Sequence, residues 1–312
     1  MLKTNKIPER QLKKYIEIAK ANKMESWLYA YFVDNDPHEQ KTGKTVECGK
    51  VCFNTNKKRY TIMDAPGHGN YIPNMIYGSY QADISLLIIS ARNNEFETGF
   101  NKGGQTREHA NISYTIGHKK IICVINKMDT IKWDQKRYQM ISNQITKFLH
   151  KRIGFKTKNI HIIPVDSFNG ININEKVSNN ICSWYNGECL LDALDGIKKI
   201  KRHYTKALRM AVMYSCSIIT NNNQEIKNKI GINGKIQNGV LKVGDNVVIM
   251  PINKSFKVSG IKMDNVEVNE SKAGDIVFIS IDIGNQRHIS KKSIKRGCVI
   301  CHKNNENNVI PV

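Results

Sequence analysis

No apolar run in the 312-residue sequence reaches the roughly 18–20 residues that a membrane-spanning helix needs. The start, Met1-Leu2-Lys3-Thr4-Asn5-Lys6, has no apolar core of the kind a secretory signal carries. The expected setting is therefore cytoplasmic, with no membrane partner. Acid is scarce as well: 27 Asp and Glu stand against 48 Lys and Arg, a formal net charge of +21. That excess suits an anionic partner such as RNA. Part of it is lysine scattered among asparagines, as near Asn221-Asn222-Asn223 and Lys303-Asn304-Asn305, and biased codon usage would produce the same texture. A disulfide framework is not expected from the cysteines. Several of the eight lie inside apolar runs, as Cys123 does within Ile121–Ile125, which suits buried reduced thiols. Cys298-x-x-Cys301 has metal-ligand spacing, but no second pair completes a four-ligand site. It reads as a strand end.

The length suffices for two domains with separate cores. Pro8 followed by Leu12, Tyr15, Ile16 and Ala19 predicts a helix over residues 8–23. A loop rich in charge and turn residues, Asp34 to Lys44, leads to strands at Val46–Asn54 and Arg59–Met63, joined by a turn at Asn56-Lys57-Lys58. Strand and helix then alternate. Ile84–Ser90 is a continuous apolar run, which predicts a strand buried on both faces. Thr106–Gly117 predicts a helix, Lys120–Ile125 a buried strand, Lys136–Arg152 an amphipathic helix, Ile160–Pro164 a third buried strand and Leu190–Ile200 a last helix. The fold class is α/β, a mostly parallel sheet with helices on both faces. After about residue 205 the texture changes to short alternating segments punctuated by glycine, with strands predicted at Val247–Met250, Lys257–Ile261 and Ile276–Ile281. That pattern predicts a small β-barrel. The expected division is residues 1–204, residues 205–303, and a tail at 304–312.

Two loops carry the chemistry. Asp64-Ala65-Pro66-Gly67-His68 follows the strand Tyr60–Met63. An acidic residue at the carboxyl end of a parallel strand sits where ligands bind in open α/β sheets, and there it can hold magnesium through water. The glycine lets backbone approach a phosphate, and the histidine can position a water. Asn126-Lys127-Met128-Asp129 follows the buried strand Ile121–Ile125. An Asp carboxylate can accept from both the ring N–H and the amino group of guanine, a donor pair that adenine lacks. Asn126 can brace the loop and meet the base edge, while the Lys127 stem lies along the ring.

These motifs, with Gly43-Lys44-Thr45-Val46-Glu47, Ile72-Pro73-Asn74-Met75-Ile76, Gln81-Ala82-Asp83, Ile88–Arg92, Glu95–Phe100, Gly103–Ala110 and Trp184-Tyr185, resemble the translational GTPases of the elongation factor Tu and elongation factor 1-alpha superfamily. GKTVE and EFETGF with GGQTREHA are most similar to the GTP-binding subunits of eukaryotic release factors. The ribosome-rescue GTPases are the nearest rivals, and Gly234–Asp245 resembles the family's second-domain barrel. The resemblance implies a P-loop-type G domain followed by a barrel, GTP or GDP and Mg2+ as ligands, and GTP hydrolysis coupled to translation termination. It also implies the ribosome with its rRNA and a class 1 peptide-chain release factor as partners, and a monomer. The alternatives are a rescue or elongation GTPase, or a ribosome-binding module that ignores nucleotide. By resemblance, Thr45 and Asp64 would serve magnesium, Gly67 the γ-phosphate and His68 the hydrolytic water. Asn126, Lys127 and Asp129 would bind guanine. The family's last base contact, a Ser followed by a small residue, falls on Asp166-Ser167.

The family's opening strand and its G-x-x-x-x-G-K-[ST] loop, whose amides and lysine hold phosphates, are not in the sequence. Gly43-Lys44-Thr45 fails because the upstream glycine position is His38. In the family's strand order the missing strand lies between those ending at Met63 and Ser90. With strands about 4.8 Å apart, a gap of roughly 9–10 Å is expected there, with each buried unpaired backbone group costing roughly 1–3 kcal/mol. A fragment of a longer chain, with the family's third domain also beyond Val312, is expected over a strand lent by another chain or a re-paired sheet.

Overall fold

The computed structural model describes residue 17 and residues 48–198, 200–219, 225–264, 266–284 and 292–303. The expected helix over residues 8–23, the loop from Asp34 to Lys44, Thr45 and the tail from 304 lie outside them, residue 17 apart. The chain divides into two compact units, Met1–Lys199 and Ile200–Val312.

The parallel sheet of the first unit has three strands in the order β3 (Ser85–Ser90), β4 (Ile121–Asn126), β5 (Ile160–Pro164). Every side chain of the run Ile121–Ile125 is buried, and alternate residues serve two cores, as the period of a strand requires. Ile121, Cys123 and Ile125 pack with Ala110 of α3 (Gln105–Thr115) and with Ile141 and Ile145 of α4 (Gln135–Lys147). Ile122 and Val124 pack with Ala193 and Leu194 of α5 (Leu190–Gly196). Helices thus cover both faces. Asp134 starts α4, its carboxylate accepting from the amides of Lys136 and Arg137 at 3.1 Å each, a side-chain cap on otherwise unsatisfied donors. A wider turn, Phe148–Ile153, continues it to Gly154. Two helices that the sequence pattern did not single out, α1 (Ile72–Gln81) and α2 (Glu95–Phe100), flank β3 in the chain.

β3 departs from the expectation of burial on both faces. Leu87 and Ile89 are buried, but Leu86 is 39% and Ile88 55% exposed. Leu86 and Ile88 share the face of Ile122 and Val124, and among the described residues neither joins the cluster with α5 that covers that face; at its edge β3 pairs there with β4 alone. The hairpin β1 (Gly49–Asn54) and β2 (Arg59–Asp64) forms a separate two-stranded antiparallel sheet, in register from Gly49↔Asp64 to Asn54↔Arg59. Asp64 therefore ends an antiparallel strand rather than the parallel one expected.

Polar contacts to the end of α5 hold the hairpin. The Lys58 ammonium donates to the carbonyls of Leu194 (3.3 Å), Asp195 (2.8 Å) and Ile197. The Tyr60 hydroxyl donates to Asp195 Oδ1 at 2.6 Å and the Thr55 hydroxyl to the same oxygen at 2.9 Å. A lysine at a helix C-terminus meets its orphan carbonyls and the negative end of its dipole.

In the second unit, β6 (Arg209–Ile219), β7 (Glu225–Asn238), β9 (Asn246–Met250), β10 (Lys254–Met263), β13 (Ile276–Asp282) and β14 (Val299–His302) close into a barrel. The ring order is β10-β13-β7-β6-β14-β9, with β9 returning to β10. The strands β8 (Val240–Lys242) and β12 (Glu270–Lys272) pair beside it, and β11 (Val266–Val268) extends β10. Ile232, Ile236, Val258, Val277, Ile279 and Ile281 are wholly buried inside. At the β7–β8 turn, Gly239 has φ +80, and a Cβ there would meet the Leu208 backbone at 2.8 Å, so only glycine fits. Cys298 and Cys301 are buried beside and within β14, and none of the eight cysteines is in a disulfide.

Candidate functional site

The loops after β4 and β5 meet at the carboxyl end of the sheet. Asn126 Oδ1 accepts from the Ser167 amide at 3.0 Å, and the Met128 amide donates to Val165 O at 3.3 Å. Lys127 turns the chain through a left-handed conformation, φ 62, and the Thr130 hydroxyl holds that turn by donating to Lys127 O at 2.7 Å. Asp129 is exposed on the rim so formed, and so is Ser167. Asp166 is buried, both its oxygens engaged by Asn169: Oδ1 by the amide at 3.1 Å, Oδ2 by the side-chain Nδ2 at 2.6 Å. Its carboxylate closes its own loop.

The segment after β3 joins the same rim. The Ala91 amide donates to Asn126 O at 2.8 Å, and the Lys127 ammonium pairs with Glu95 Oε2 at 2.7 Å. Lys127 and the Ser90 hydroxyl hold the Glu95 carboxyl below its ordinary value. Arg137 of α4 pins this segment from behind. Its guanidinium donates to Ala91 O at 3.0 Å and to Glu97 at 2.6 Å and 3.1 Å, and that bidentate pair lowers the Glu97 carboxyl to about 2.

The second loop is ordered by α3. Gln105, with its amide turned to satisfy both groups, spans Gly67 O at 3.1 Å and the Gly69 amide at 3.2 Å. His109, one helical turn on, hydrogen-bonds the Gly67 backbone, and burial lowers its basicity. His68 Nδ1 accepts from the Asn70 amide at 3.2 Å. A neutral ring that accepts at Nδ1 carries its proton on Nε2, so the group His68 presents is a donor. It can orient a water by donating to the oxygen; it does not offer that nitrogen as a base. A Cβ at Gly67 would stand 3.9 Å from the His109 ring, so room alone does not require glycine there.

The structure thus joins Asn126, Lys127 and Asp129 to Asp166 and Ser167, and separately ties Gly67 and His68 to α3. Asp64 lies at the end of β2, and Thr45 is outside the described residues. Glu95, Gln105, His109, Arg137 and Asn169 were not read as site residues. The four-residue step from Gln105 to His109 on one helix was the available signal.

The residues fit a guanine base: an exposed carboxylate, a braced amide loop and a lysine stem share one rim. The sequence has no match to the G-x-x-x-x-G-K-[ST] loop that cradles phosphates. Among the described residues no three His, Cys, Asp or Glu side chains cluster closely enough to hold a metal ion, and no helix is long and apolar enough to cross a membrane.

The family model of the elongation factor Tu GTP binding domain matches residues 1–233, and that of elongation factor Tu domain 2 matches residues 232–301. A eukaryotic peptide chain release factor GTP-binding subunit from Dictyostelium discoideum is 36% identical over 283 residues, 90% of this chain and 49% of that protein. Elongation factor 1-alpha from Pyrobaculum islandicum is 37% identical over 300 residues, 96% of this chain and 64% of that protein. The crystal structure of translation elongation factor SelB from Methanococcus maripaludis with a GTP analogue superposes with a TM-score of 0.62 at 25% identity, over 83% of this chain and 50% of that one. The chain spans about half to two thirds of the length of these relatives.

Proposed function

The chain belongs to the translational GTPase family of elongation factor Tu, and from that premise we propose that it is a release-factor-type translation factor whose guanine-recognition end is intact and whose 312 residues alone do not hold GTP. The observation that carries this is the Asn126–Ser167 hydrogen bond, which draws the NKMD loop and the loop after β5 into one rim. Asn126, Lys127, Asp129 and Ser167 take guanine, with Asp166 bracing the last loop. Thr45 and Asp64 belong to magnesium, Gly67 to the terminal phosphate and His68 to the attacking water. These four act when a phosphate-binding strand, loop and helix are joined to the chain, and the family's chemistry is then GTP hydrolysis. The setting is cytoplasmic, on the ribosome, in termination with a class 1 release factor, as a monomer. Residues 1–204 form the G domain and residues 205–303 the barrel.

Titration of the 312-residue chain with a fluorescent GTP analogue in magnesium tests the first half. No saturable binding is expected, and micromolar magnesium-dependent binding overturns it. Extending the chain at Met1 with a strand, a G-x-x-x-x-G-K-[ST] loop and a helix tests the second. GTP binding should appear, and Asp129→Asn should shift it toward xanthosine triphosphate, whose ring presents an acceptor where guanine has its amino donor. The net charge of +21 favours one further reading, ribosome association that ignores nucleotide. Cosedimentation of the unextended chain, weakening steeply with salt, is its test.

A further inference from the structure

At the opposite end of the parallel sheet, where β4 and β5 begin, the ends of α3 and α4 and the segments that lead from them into the strands lie side by side. Residues 111–120 and 144–160 contain no Asp or Glu. Between them they expose Lys119, Lys147, Lys151, Arg152, Lys156 and Lys158. The segments are tied together: Asn159 Nδ2 donates to Lys119 O at 2.8 Å, and Ile121 pairs with Ile160 at the heads of the strands. Tyr114 stands among these cations. Its ring meets the edge of buried Phe155 at 5.0 Å, and Gly154 leaves room for it, since a Cβ there would sit 2.9 Å from the tyrosine hydroxyl. Tyr114 is nevertheless 43% exposed. The neighbouring loop into β3 adds one carboxylate, Asp83.

We propose that this basic end of the α/β unit is an RNA-binding surface, in which the six cations meet backbone phosphates and the supported Tyr114 ring stacks on a base. The pattern differs from the lysine scattered elsewhere in the chain: it is dense, free of acid within both segments, and built around an aromatic ring, the combination that binds single strands. A membrane surface would need an apolar anchor beside the cations. Among the described residues of the two segments, Tyr114 is the one large hydrophobic that is exposed. The surface lies about six residues of strand, roughly 20 Å, from the guanine-type loops, so it is a separate site and does not depend on the nucleotide proposal.

Fluorescence anisotropy of a twelve-nucleotide oligouridylate with the 312-residue chain, without nucleotide or ribosomes, reads it directly. Six phosphate contacts on a single strand predict a log–log salt slope of about −4, so that doubling the salt weakens binding about 16-fold. The triple variant Lys151→Glu, Arg152→Glu, Lys156→Glu should bind at least about tenfold more weakly, with the slope reduced by about 2. The charge-matched triple in the barrel, Lys254→Glu, Lys257→Glu, Lys295→Glu, should change binding less than about twofold, because it removes none of the six phosphate contacts. Tyr114→Ala should lose about tenfold with the salt slope unchanged, and Tyr114→Phe, which keeps the ring and its seat on Phe155, should retain binding. Equal losses from the two triple variants would reduce the effect to net charge and overturn the proposal. Full binding by the Lys151, Arg152 and Lys156 triple, or binding to phosphatidylserine vesicles without RNA binding, overturns it as well.

Discussion

The barrel and the parallel sheet meet the same requirement, that strand edges be paired, with opposite results. In the barrel β10 pairs with both β9 and β13, so the ring closes and the inward side chains of β13 are wholly buried. In the parallel sheet β4 has a neighbour on each side, while among the described residues β3 has β4 alone. Ile88 is exposed on a strand nearly as apolar as β4. Burial here is a property of neighbours, and similar apolar sequences end in different surroundings according to what lies alongside.

That contrast can be broken or sharpened by experiment. The largest effect is expected inside the barrel: Ile279→Ala removes a wholly buried side chain and should cost about 3 kcal/mol, read as faster hydrogen exchange across β7 and β13. If that change were harmless, the barrel would not be the close-packed body described. Next is the hairpin. Lys58→Met leaves the carbonyls of Leu194 and Asp195 without their charged donor and should cost about 1–2 kcal/mol. Limited proteolysis at Asn56–Lys57 should accelerate in that variant while barrel exchange stays constant. Smaller still is the acid response of Glu97. Its carboxyl is held at about 2 by Arg137, so its contribution is complete above the ordinary carboxylate range and is lost as pH falls toward 2. Glu97→Gln should flatten the thermal midpoint between about pH 4 and pH 2, by a modest amount because the side chain is 43% exposed. The smallest change is at the open edge: Ile88→Thr should alter stability by less than about 0.5 kcal/mol, against the cost of the barrel substitution. A large loss there would mean that the outer face of β3 is covered in solution.

Much of this architecture was legible in the residues. The run Ile121–Ile125 announced a strand buried on both faces, and it is one. The alternation of Ile276–Ile281 announced a barrel strand; Gly239, Gly244, Gly274 and Gly297 mark turns, whereas Gly231, Gly234 and Gly260 lie inside strands. Ile84–Ser90 was expected to be buried on both faces, but the apolar run records what the strand can bury, not whether a helix covers the face that carries Leu86 and Ile88. The helices α1 and α2 escaped because one carries Pro73 and Gly78 and the other spans only Glu95–Phe100. At the site, NKMD and DAPGH were visible as local words. The bonds that organise them, Asn126 to Ser167, Lys127 to Glu95 and Gln105 to Gly67, join residues far apart in the chain, and no local pattern encodes them. Asp166 looked like a base contact by position, yet its carboxylate is engaged within its own loop.

The Lys58 clamp has a consequence for how Asp64 is held. The turn of the hairpin is fastened to α5 by one ammonium and by two hydroxyls on Asp195. At the other end Gly67, three residues past Asp64, is fastened to α3 by Gln105 and His109. The ribbon is thus strung between two helices like a cable between two posts, and a lysine with no part in the chemistry sets the tension at one of them.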